Sequence, residues 1–152
     1  GLLVALIPIL VIVYLIRIGR IGELHMSNTH ERHIPYLTSV ISGMVAFLIL
    51  TLFDGPELLR CLAILSIITL GVLGLINTKW LISIHATAAA ATWMIATVVF
   101  GWVVGAILLP FVILISAIRL YLKRHTPAQV LAGLALGASA VLVMRAMGCF
   151  VP

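Results

Sequence analysis

Charge is what this chain has least of. Of its 152 residues 9% are charged, and only four are acids: Glu23, Glu31, Asp54 and Glu57. Soluble domains carry about 25% charged residues. At 64% hydrophobic residues and a mean hydropathy of +1.33, a water-exposed globule is excluded. A disordered chain is excluded too, because disorder needs low hydrophobicity and abundant charge. Also missing is the alternating pattern of β-barrel strands, since the apolar runs are continuous and outlast the roughly ten residues of such a strand. Cysteine is scarce. Cys61 and Cys149 give no disulfide framework or metal spacing and read as small buried apolar residues. The net charge of +5 reflects the shortage of acids, with nine Lys and Arg in all. A general basic surface for nucleic acid is therefore not expected.

What the chain does have is one apolar run after another. Leu2–Ile16 is closed by Arg17 and Arg20. It has no basic residues ahead of it and no small-residue cleavage pattern after it, so it reads as a membrane helix rather than a signal peptide. A polar stretch from Glu23 to His33 follows, then Ile34–Phe53. Asp54-Gly55-Pro56-Glu57 is a turn signal, and Leu58–Thr78 is the next run, ending at Lys79-Trp80. From Ala86 to Ile118 there are 33 uncharged residues. One helix of that length would extend roughly 50 Å, against a hydrocarbon core of about 30 Å. Two helices are expected instead, turning near Gly101–Gly105 with Pro110 just inside the second. We therefore expect an all-α integral membrane protein, one domain over 1–152. It would be a bundle of about six helices, spanning 2–16, 34–53, 58–78, 84–100, 103–119 and 126–147.

Six crossings put residues 17–33, 79–85 and 119–125 on one membrane face. All five histidines (His25, His30, His33, His85 and His125) fall there, with seven of the nine basic residues. A polar site assembled from three loops is the expectation. The focal segment is Arg119-Leu-Tyr-Leu-Lys-Arg-His125-Thr-Pro-Ala-Gln129. Thr126 suits an N-cap, Pro127 the first helical position, and Gln129 the far side of a capping box. His125 then precedes a helix N-terminus, where unpaired N–H groups favour an anion. Arg32, Arg119 and the Ser83 hydroxyl are candidate phosphate donors. Two histidines allow one to attack phosphorus and the other to protonate the leaving oxygen.

Arg119-x5-His125 with Ser83-Ile-His85 upstream and Arg32 before both resembles the type-2 phosphatidic acid phosphatase superfamily of membrane lipid phosphatases. Its motifs are Lys-x6-Arg-Pro, Pro-Ser-Gly-His and Ser-Arg-x5-His-x3-Asp. The likeness runs from position 25 to 129 and is greatest to short bacterial membrane proteins of that kind, which place the site in an inner membrane. The resemblance implies that His125 is the nucleophile forming a phosphohistidine and that His85 is the acid for the leaving group. Arg32, Arg119 and Ser83 would hold phosphoryl oxygens, without a metal or cofactor. Here His25 stands at the family's lysine, His33 at its proline and Gln129 at its aspartate, so Gln129 would orient His125. Lys79 could replace the lysine, or anchor the interface beside Trp80.

The expected activity is removal of phosphate from a lipid phosphate or pyrophosphate. The partners are that lipid and the bilayer, with no nucleic acid and no protein partner identified. A non-catalytic relative that binds anionic headgroups is a second reading. A metal-dependent membrane enzyme using His30-Glu31-Arg32-His33 with His85 and His125 is a third. The capping box alone accounts for Gln129, and interfacial snorkelling accounts for Lys123 and Arg124. Ala86–Thr92 and Gly133-x3-Gly137 read as close-packing faces, with an opening for a lipid chain as the functional alternative. The basic excess places the site face in the cytoplasm, whereas the resemblance implies the exterior, and both orientations stay open.

Overall fold

The computed structural model describes Tyr14, Arg17 and residues 29–150. The described residues form five helices and no strand: α1 (Thr29–Leu52), α2 (Glu57–Ile76), α3 (Ile84–Phe100), α4 (Trp102–Tyr121) and α5 (Pro127–Ala146). Four of them (α1 from Pro35 on, α2, α4 and α5) are long and apolar enough to cross a membrane. α3 is shorter, at 17 residues. Six helices are thus not what the described residues contain, and the expected span at 2–16 lies outside them apart from Tyr14. The stretch expected as one domain divides into two compact units, 1–79 and 80–152.

In the first unit α1 and α2 form an antiparallel hairpin. The Asp54-Gly55-Pro56 signal turns the chain: Asp54 takes a left-handed φ of 47°, and the Gly55 N–H donates to Leu50 O at 2.7 Å. A Cβ on Gly55 would meet Leu50 Cδ2 at 2.7 Å and Leu50 O at 3.1 Å, so a larger residue would require Leu50 to shift. At the other end the Asn77 side chain donates to the Tyr36 hydroxyl at 2.6 Å, and Tyr36 lies on Gly74. α1 begins five residues before the expected boundary. His30, Arg32 and His33 are therefore helical rather than in a loop. By hydropathy the candidate span starts at Pro35, whereas a helix outside hydrocarbon continues wherever its residues allow. No free cysteine occurs, which corrects the reading of Cys61 and Cys149 as plain apolar residues.

In the second unit α3 packs against both α4 and α5. Ser83 starts α3 as its N-cap, and its hydroxyl accepts from Ala86 N at 3.3 Å. The α3–α5 contact is made without side chains on one side. An added Cβ on Gly133 would come within 2.7 Å of Ser83 O, and one on Gly137 would strike Thr87 O. Ala86, Thr87, Ala90 and Val141 are sealed in this seam. Gly101, at φ 90°, makes the turn into α4. Across that turn the Trp93 indole N–H donates to Gly105 O at 2.8 Å. Pro110 sits in the middle of α4 rather than near its start, because α4 begins directly after Gly101. The outer faces carry Ile107, Ile113, Leu114 and Ile118 exposed, a continuous apolar surface suited to lipid and not to water.

Candidate functional site

The site residues of the second unit come from three chain segments. α5 starts as its sequence demands: Thr126 caps it, Pro127 follows, and the box is closed from both sides. Gln129 N donates to Thr126 Oγ1 at 3.3 Å, and Thr126 N donates to Gln129 Oε1 at 2.9 Å. His125 is thereby held immediately before a helix N-terminus. Arg119 is brought next to it by the short turn that ends α4. There Arg124 N donates to Arg119 O at 3.2 Å and Lys123 N to Leu120 O at 2.9 Å, with Lys123 in the left-handed region at φ 52°. The third segment, leading into α3, is tied to α5 by Ser83 N donating to Gln129 O at 3.3 Å. That bond fixes the start of α3, whose second residue, His85, lies close enough to feel the charges of Arg119 and His125.

The electrostatics follow from this proximity. His85 opens outward at the head of α3, ahead of the apolar run from Ala86. Its pKa is lowered from the ordinary 6.5, first by partial burial and then by the positive charges of Arg119 and His125. No acid of the unit opposes them, since all four Asp and Glu of the chain precede residue 58. Arg119 Nε is buried and makes no hydrogen bond, leaving a guanidinium N–H with unspent capacity. The Arg119 guanidinium and two histidines, in a unit whose sequence holds no Asp or Glu, make a place for an exogenous anion.

The other expected residues fare differently. Ser83 is fully buried, and its hydroxyl is engaged in capping α3. Gln129 uses its side-chain oxygen on the Thr126 N–H. Lys79 is exposed in the turn after α2, next to exposed Trp80, the setting of an interfacial anchor. Arg32, with His30 and His33, lies near the start of α1 in the first unit, and His25 falls outside the described residues. Among the described residues no three His, Cys, Asp or Glu side chains are grouped to hold a metal ion.

One feature of the site was signalled only in part by the sequence, where Ala86–Thr92 reads as a packing face or an opening for a lipid chain. Beside His85 a groove of about 380 Å³ opens between α3 and α4, with Ala88, Ala89 and Thr92 on one wall and Val112 and Ile115 on the other. The alanine-rich stretch of α3 thus serves two faces, one packed on α5 and one left open. The α4 wall was hidden in a helix apolar on every side. Comparison with protein-family models, curated proteins and solved structures gives no match for this chain.

Proposed function

We propose that this is a membrane-embedded phosphatase that removes phosphate from a lipid phosphate or pyrophosphate through a phosphohistidine on His125. The observation that carries the reading is the meeting of His85, Arg119 and His125 in a unit without a single carboxylate. Arg119 holds phosphoryl oxygens. The His125 imidazole attacks phosphorus, the bond from phosphorus to the lipid oxygen breaks, and His85 supplies the proton to that oxygen. Water then attacks the phosphohistidine, the P–N bond breaks, and the water proton passes to His85. Ser83 and Gln129 act one step back, as the caps that fix His85 and His125 in place. The resemblance also assigns Arg32 to the phosphoryl oxygens, an assignment that rests on the sequence alone. In this reading the chain crosses a bacterial inner membrane six times, by 2–16, α3 and the four long apolar helices.

Binding of anionic headgroups without turnover is the second reading. It is favoured by Gln129 standing where the resembled family has an aspartate: its oxygen is engaged in the cap, and an amide carries no charge with which to stabilise an imidazolium. Purified protein assayed on phosphatidic acid, phosphatidylglycerol phosphate and an isoprenyl pyrophosphate, with and without chelator, separates the readings. Phosphate release that persists in chelator and falls to background in His125→Ala is the expected result. Vanadate binding without any phosphate release would establish the second reading. Loss of activity in chelator would transfer the chemistry to a metal.

A further inference from the structure

We propose that the groove between α3 and α4 seats one hydrocarbon chain of a phosphate-bearing membrane lipid, head toward Arg119 and chain end toward Trp93. The inference rests on the phosphate-site reading above and adds where the rest of the lipid lies.

The groove has one ionisable lining residue, at one end. His85 stands at that end, and small residues of α3, Ala88, Ala89 and Thr92, leave the space that follows. On α4, Ile115 lines the same channel. Arg119 is four residues further on, one helical turn along the same stripe, so the apolar wall runs into the guanidinium. At the far end are Trp93 and Leu108. The indole is not free to swing away, because its N–H is bonded to Gly105 O across the interhelical turn at 2.8 Å. From His85 to Trp93 the helix rises about 12 Å, which sets the length of chain the groove can take before it meets the ring. An apolar channel with cations at its mouth and no acid in the unit complements an amphiphile with an anionic head. Neither a neutral lipid nor a free phosphate uses both halves.

Because the groove faces lipid, any chain can brush past it, and the test must read occupancy above that background. The protein with Trp80→Phe and Trp102→Phe keeps Trp93 as its one tryptophan, excited selectively over the tyrosines. Placed in nanodiscs of zwitterionic lipid, it receives a trace of a single-chain alkyl phosphonate brominated at the chain end. The C–P bond resists hydrolysis, so binding is read apart from turnover. The phosphonate is expected to quench Trp93 several-fold more than the matching bromoalkyl alcohol at the same mole fraction. That excess should fall to the alcohol level in Arg119→Gln, and also in Ala89→Leu, which fills the groove and leaves the cations alone. Equal quenching by phosphonate and alcohol overturns the proposal, as does an excess that survives Ala89→Leu. Excess quenching in a protein that releases no phosphate strikes only the phosphatase reading. Phosphate release without excess quenching strikes only the chain seat.

Discussion

In the proposed reaction His85 is the acid that protonates the leaving oxygen. Burial and the charges of Arg119 and His125 keep its pKa below 6.5, so in the empty site the proton it must donate is present only on the acid side of that lowered value. As pH rises through it, kcat/KM of a reaction needing His85 as acid declines. An anion at Arg119 offsets the two coulombic causes and leaves only burial. Two consequences follow with the same sign. Vanadate or inorganic phosphate should raise the His85 midpoint in an NMR titration of the imidazole, and Arg119→Gln should raise it in the empty site. A midpoint indifferent to both would remove the anion from the vicinity of His85. That His125 precedes a capped helix start was legible in the sequence, because a cap needs only local rules. The actual uses of Ser83 and Gln129 were legible in part. Both belong to capping patterns, in which the side-chain oxygen accepts a helix N–H, and Ser83 is in addition sealed from solvent.

Among the elements, α3 and α5 make the closest contact, and they hold His85 against His125. Their seam is built on the absence of side chains at Gly133 and Gly137. Gly137→Ala would gain helix propensity, yet its Cβ strikes the Thr87 carbonyl oxygen. The helices must part, at a cost of about 1–3 kcal/mol. Gly71→Ala in α2, with nothing within 4 Å of the new Cβ, is expected to be neutral or mildly stabilising. Unfolding of both variants in mixed micelles checks the contrast, and equal stability would show that the seam tolerates a methyl group. The helix boundaries from 57 onward were legible because glycine, proline and caps end helices locally. The start of α1 was not, since polar residues stop a span without stopping a helix. Which face of the alanine-rich α3 meets α5, and which is left open beside α4, depends on a partner far along the chain.

At the scale of the whole molecule, the apolar exterior calls for a bilayer, and the tryptophans provide the test. Trp80 precedes α3 and Trp102 follows it; both are exposed. α3 rises about 26 Å between them, close to the core thickness of about 30 Å. If α3 crosses, single-tryptophan variants keeping Trp80 or Trp102 should respond oppositely to iodide added outside sealed, uniformly oriented vesicles. Iodide reaching both, or neither, from one side would deny α3 a crossing. The sequence by itself determined that this chain belongs in lipid, that it is helical, and where most helices begin and end. Those are properties of neighbouring residues, set by transfer of apolar side chains from water and by backbone groups that must bond locally in hydrocarbon. Only the tertiary structure decided that His85 feels the charges of Arg119 and His125, that Ser83 is sealed from solvent, and that a groove opens beside His85. In a helix apolar on all sides, pairing is chosen by shape, and shape is a relation between distant parts of the chain.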